Sequence, residues 1–177
     1  MTPAVIYAPF SEALKSNLKS IIKDTAFGGD HALSRHYAAL GDPEPHSTHL
    51  IGAVTHKDDL IGWVSVGAST DASETEAVIR CYLDCIYITP EHRTKGYASL
   101  AVSDAAQTLS VIAFKYLPPH DNSVTPLDIE LSAVHVNDEG EYCVNTFQRA
   151  MAHAVSLISD NTNYVYREFI NESTRGA

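Results

Sequence analysis

Apolar positions first recur at helical spacing between Ser11 and about Asp24, where Leu14, Leu18, Ile21 and Ile22 fall at i, i+4, i+7 and i+8. That spacing predicts a helix with one buried stripe. Before it, Val5–Tyr7 is a short β-prone piece ended by Pro9, and after it Gly28 and Gly29 break the pattern. Asp30 offers an N-cap for a shorter helix through Leu40, terminated by Gly41 and Pro43, and Asp42–Ser47 reads as a loop. The period then changes. His49–Thr55 and Leu60–Ala68 are strand-like and joined by His56-Lys57-Asp58-Asp59, a hairpin-length connection. Ser69–Thr75 is polar and loop-like, whereas Ala77–Thr89 is a β-branched and aromatic run that stops at Pro90. A helix over Ala98–Tyr116, a proline-rich loop over Leu117–Pro126 and a buried strand over Leu127–Val136 follow. A helix over Glu141–Ser159 and one strand over Tyr164–Ile170 close the chain. The order β-α-α-β-β-β-α-β-α-β predicts a single α/β domain over 1–177 with a mixed sheet.

Composition narrows the class. The chain has 177 residues, 45% apolar and 19% charged, which fits one globular domain and excludes a disordered or disulfide-dense chain. Twelve Lys and Arg stand against 22 Asp and Glu, a net charge of −10. Nucleic acid is therefore not an expected partner, because phosphate-tracking surfaces need clustered cations; local basic pockets stay open. No apolar run approaches the roughly 18–20 residues that span a bilayer, so no membrane association is expected. The opening MTPAVIYAPFSEALK lacks the basic start and long apolar stretch of a secretory signal. Cys81, Cys85 and Cys143 are an odd number at no metal-like spacing. A reducing, cytoplasmic setting is the expectation. Among nine histidines, His46-x-x-His49 with His56 comes nearest to a metal site, but nothing completes a tetrahedral set and no metal is expected. Asp58, Asp59, Asp71, Glu74 and Glu76 read as solvated turn residues, or as an acidic rim that would attract a cationic amine. Trp63 reads as core or a sheet-face anchor.

The chemistry lies in LDCIYITPEHRTKGYASLAVSDAAQTL, Leu83–Leu109. A strand ends at a proline, five polar residues follow, and Gly96 precedes small residues that enter a helix. Such a junction presents backbone N–H groups at a helix N-terminus and can bind phosphate oxygens without a large positive charge. Gly96 permits close backbone approach, Ala98 leaves the entry uncrowded, and Arg93 and Lys95 add charge. It matches neither G-x-x-x-x-G-K-[ST] nor G-x-G-x-x-G. A plain β–loop–α connection with solvated Arg and Lys is the alternative.

Arg93–Ala98 (RTKGYA), following IYITPEH, resembles the acyl-CoA signature [QR]-x-x-G-x-[GA] of the GNAT superfamily of N-acyltransferases. The preceding LDCIYITP and the order of elements also fit that family. After Val136 the likeness thins: Asn137 remains, but the family's Tyr-Glu pair and Gly-Phe do not, and only one clear closing strand is visible. The resemblance implies a mixed, mostly antiparallel central sheet flanked by helices, with central strands splayed at a bulge. It implies acetyl-CoA as co-substrate, with Ile86, Tyr87 and Ile88 bordering the thioester and pantetheine. Arg93, Thr94, Lys95, Gly96, Tyr97, Ala98 and Ser99 would surround the pyrophosphate, mostly through main-chain contacts. Many relatives carry a catalytic Glu where this chain has Tyr82. Asp84, two residues on, is the preferred base, its alternatives being an ion pair with Arg80 or a surface carboxylate. Glu130 and His135 are reserves. Tyr142 is the one tyrosine near the usual thiolate-protonating position, out of the family spacing, and a packed or interface Tyr is the alternative. Cys143 reads as a small buried residue, since direct transfer needs no acyl-enzyme.

The function implied is N-acetyl transfer to a primary amine of a small molecule or a protein. Two rivals are a toxin-type aminoacyl-tRNA acetyltransferase, which the −10 charge disfavours, and an acyl-CoA-binding sensor without turnover. A homodimer through an exposed sheet edge is a further expectation. The Leu117–Pro126 loop is expected either to shape the acceptor entrance or to be a surface excursion.

Overall fold

A computed structural model describes residues 4–7, 12–22, 46–73, 75–118, 124–135, 138–159, 162–171 and 174–175, with backbone alone at 134, 135, 171 and 175. The helix expected over Asp30–Leu40, the glycine break before it, most of the Asp42–Ser47 loop and Asn137 lie outside the described residues.

The apolar stripe of the first helix forms as its spacing requires. Helix α1 (Glu12–Ser20) buries Leu18 completely and packs Leu14, Ile21 and Ile22 beside it. It ends earlier than Asp24 because Ile22 N–H turns back to the Lys19 carbonyl at 3.1 Å, a tight closing turn. Strand β1 (Ala4–Tyr7) pairs antiparallel with β2 (Ser47–His56), β2 with β3 (Asp59–Ala72), and β3 with β4 (Ala77–Ile88). The segment Ser69–Ala72, expected as loop, continues β3 instead. Its partners Arg80, Ile79, Val78 and Ala77 on β4 supply a ladder that overrides its polar composition.

Beyond β4 the sheet becomes parallel. Helix α2 (Tyr97–Tyr116) carries the chain to β5 (Thr125–His135), and helix α3 (Asp138–Ser159) carries it to β6 (Tyr164–Asn171). Parallel neighbours require such crossovers, and both helices lie on one face. The order is β1-β2-β3-β4-β5-β6. A second closing strand, β7 (Thr174–Arg175), pairs with Val134 and His135 of β5, so the expectation of a single closing strand is corrected. Among the described residues no helix is long and apolar enough to cross a membrane.

Two cores result. The larger joins Ile79, Leu83, Leu127, Ile129 and Leu131 of the sheet to Ala105 and Leu109 of α2 and Phe147 and Met151 of α3. The smaller lies on the opposite face under α1 and contains Ile51, Trp63 and Tyr87.

Candidate active site

Strand β4 changes face at one residue. Ser65 pairs with Cys85 and Val66 with Leu83, which leaves Asp84 as the extra residue of a β-bulge. Before it, Ala77, Ile79, Cys81 and Leu83 enter the larger core; after it, Ile86 and Ile88 do, while Cys85 and Tyr87 face α1. The bulge also coincides with the end of the β4–β5 ladder. Pairing runs from Ala77↔Leu127 to Leu83↔Ala133 and stops, although β5 continues to His135. The two central strands therefore part beside Asp84, as the resemblance implies.

The side chains of Ile86, Tyr87 and Ile88 turn to one core or the other, which leaves only their main chain for the pantetheine contacts that the resemblance implies. Ile88 is buried in the larger core, Ile86 packs against it, and Tyr87 is 1% exposed, stacked on Trp63 at 4.7 Å. The Tyr87 hydroxyl donates to the Ile21 carbonyl at 3.3 Å, which ties β4 to α1.

The loop after β4 is held by its own atoms. A short 3₁₀ turn over Pro90–His92 follows Thr89, whose Oγ1 lies 2.9 Å from His92 Nδ1. Arg93 does not reach outward: its Nε donates to the Ile88 carbonyl at 3.0 Å and its guanidinium lies 5.8 Å from the Tyr87 ring centre. Lys95 Nζ donates to the Glu91 carbonyl at 2.7 Å. Arg93 and Lys95 thus brace the loop. Thr94 (φ 61°) and Gly96 (φ 78°) are both left-handed, a pattern that turns backbone N–H groups toward one concavity. Gly96 is the N-cap of α2, no side chain caps that helix, and its first turn, with Tyr97, Ala98 and Ser99, holds no acidic residue. A β-carbon built on Gly96 would meet nothing within 4 Å, so the space before the helix terminus is open.

Cations gather here despite the net charge. His56, on the β2–β3 turn, lies 5.2 Å from the Tyr97 ring and 6.4 Å from His92. Burial, then Lys57, His92 and Lys95, holds its imidazole below the ordinary value. Its Nδ1 is buried with no hydrogen-bond partner. A dianion placed before α2 would face this field and the helix dipole together, and these residues fit a diphosphate.

On the α1 face, Asp84 is half-buried and accepts a hydrogen bond from Ser65 Oγ at 3.2 Å. Arg80 pairs with Glu130 at 2.8 Å and Asp71 at 3.7 Å, so Glu130 is engaged by a guanidinium. Tyr82 lies between these groups, its hydroxyl 2.7 Å from His49 Nδ1 and 2.9 Å from Nε2. This contact was not read from the sequence. The available signal was Gly67 within a strand, since an interior strand glycine marks a close approach. Tyr142 is 56% exposed near the start of α3, while its neighbour Cys143 enters the core. Burial pushes the Cys81 thiol up to about 12; burial and Glu139 push Cys143 up to about 11, so both stay protonated. The side chain of His135 is not among those described. The described residues bring no three metal-ligating side chains together; His49 meets Tyr82 and His56 meets Tyr97. The described ends of the proline-rich loop sit at the far end of α2, where Tyr164 donates to the Pro118 carbonyl at 2.7 Å. A 20-residue helix puts that end about 30 Å from Gly96.

The profile of the Acetyltransferase (GNAT) family matches residues 17–111, just over half of the chain. Among solved structures, an acetyltransferase from Vibrio fischeri is 18% identical, covering 72% of this chain and 95% of that one, with a TM-score of 0.45. A spermidine N-acetyltransferase chimera from Vibrio cholerae and hSSAT is 17% identical, covering 82% and 78%, with a TM-score of 0.43. The paia N-acetyltransferase of Thermoplasma acidophilum, in complex with coenzyme A, is 11% identical over 63% and 74%, with a TM-score of 0.39. No curated protein matches the chain. On the family match, carried by a stretch that includes the bulged strand and its phosphate-type loop, the chain belongs to the acetyltransferase (GNAT) family.

Proposed function

We propose that this enzyme transfers an acetyl group from acetyl-CoA to a primary amine by direct attack, without an acyl-enzyme. The observation that carries the reading is the opening of the β4–β5 ladder at Asp84, four residues short of the strand end that leads into the Gly96 loop. The amides of the loop and of the first turn of α2 hold the diphosphate, and the backbone of Ile86–Ile88 guides the arm. Acetyl-CoA, when bound, supplies the activated acyl group as a thioester. Asp84 attracts the acceptor's ammonium to the bulge, and Ser65 fixes its carboxylate. The buried thiols Cys81 and Cys143 take no part. The acceptor is a small polyamine-like or amino-sugar compound or a protein amine. All three cysteines are free, as a reducing cytoplasm keeps them.

Thiol release from acetyl-CoA, followed with a panel of polyamines, amino sugars and lysine peptides, tests the reading. Amine-dependent thiol that falls at least tenfold in Asp84→Asn supports it. Heat on coenzyme A binding with no thiol from any amine replaces it with a binding module.

A further inference from the structure

Three strands contribute one residue each to a row across the sheet. His49 on β2 pairs with Gly67 on β3, and Gly67 pairs with Tyr82 on β4. His49 and Tyr82 are therefore two strands apart, near ~10 Å by strand spacing, too far for directly paired side chains. They meet because the middle residue has no side chain. A β-carbon on Gly67 would lie 2.2 Å from the Tyr82 Cζ and hydroxyl oxygen, so the ring crosses above Gly67 to reach the imidazole. The next row on this face holds Ser65 and the bulged Asp84, with Ile51 on β2. Adjacent rows are about 7 Å apart along the strands, so Asp84 and Tyr82 are neighbours on one face.

We propose that Tyr82 and His49 form the route by which the acceptor amine loses its proton, with Asp84 as its anchor. This rests on the acetyltransfer reading above and deepens it. The ammonium N–H bond breaks as its proton passes to Tyr82 Oη, and the Tyr82 O–H proton passes to a ring nitrogen of His49. The neutral amine keeps the electron pair with which it attacks, and the imidazole carries the charge. Tyr82 touches the amine; His49 is a positioning residue that acts through it. An imidazole suits this task near neutral pH better than a carboxylate, whose ordinary value of about 4 makes it a weak proton acceptor. The charged and titratable groups on the surrounding elements include His56 on β2, Asp59 and Asp71 on β3, Arg80 and Asp84 on β4, Asp128 and Glu130 on β5, Arg167 and Glu168 on β6, and Glu12, Lys15 and Lys19 on α1.

The test combines pH–rate profiles of amine-dependent thiol release with imidazole titration by NMR in the free protein. In the wild type, kcat/KM should fall below roughly pH 6–7, where imidazole takes a proton. Tyr82→Phe, which keeps the ring over Gly67, should lower kcat about 10²-fold or more with acceptor KM little changed. His49→Gln should retain coenzyme A binding but lose the acid limb. One imidazole resonance, absent in His49→Gln, should shift its midpoint in both Tyr82→Phe and Gly67→Ala. If the wild type turns over while Tyr82→Phe is equally active with an unchanged profile, the relay is overturned and the acetyltransfer reading stands. If the wild type binds coenzyme A but releases no thiol with any amine, both are overturned. Should His49→Gln fail to fold, Tyr82→Phe carries the test alone.

Discussion

Replacing Gly96 by Ala separates folding from cofactor binding more cleanly than other single changes at the loop. The added methyl meets nothing within 4 Å, so the folded protein suffers no clash. What remains is the backbone, since φ is 78° and a left-handed L-residue costs about 1–2 kcal/mol. For a chain of this size that lowers Tm by about 2–8 °C. Binding should suffer more. The methyl projects into the open space before the uncapped start of α2, where phosphate oxygens must approach amides. Each hydrogen bond lost to a charged group is worth about 1.5–3 kcal/mol, or roughly 10–150-fold in Kd. Calorimetric titration with coenzyme A, beside a thermal melt of the same sample, measures both. Tyr97→Phe, which keeps the ring against His56, should bind within about threefold of wild type. A Gly96→Ala variant with native affinity and a lowered Tm would refute the main-chain cradle.

Two further outcomes follow from the neighbourhood of the loop. A β-carbon on Gly62 would lie 2.2 Å from the Tyr87 carbonyl oxygen, a backbone atom, at the end of β4 that feeds the loop. Gly62→Ala should cost about 1–3 kcal/mol by chemical denaturation and also weaken coenzyme A; unchanged stability would show that the strands yield there freely. His56, held low by burial and then by nearby cations, binds a proton less readily folded than unfolded. Stability should therefore fall as pH drops below about 6.5, and less so in His56→Gln. Coenzyme A phosphates favour the imidazolium, so binding near pH 6 should take up protons; equal heats in buffers of different ionisation enthalpy would exclude this.

Much of the fold can be read from local pattern because burial in it is periodic. The i, i+4, i+7 stripe of α1 and the small residues of α2 point inward where their spacing puts them. Boundaries moved where a ladder partner, invisible locally, decided the outcome: Ser69–Ala72 joined β3 because β4 is long. The bend at Gly96 was legible because a left-handed cap favours glycine in the sequence itself. The roles of Arg93 and Lys95 were not, since a long cationic side chain reaches either outward or back onto its own loop's carbonyls.

The chain alone determined the order of its elements, the site of the loop and the family its residues resemble, all set by spacing within a few turns of backbone. Tertiary structure alone decided which polar groups share a face. The bulge at Asp84 reverses the inward side of β4, and the bare backbone of Gly67 lets Tyr82 reach His49 across a strand. Both depend on pairing between residues 15 or more positions apart, where register sets the contacts and local spacing carries no trace of it.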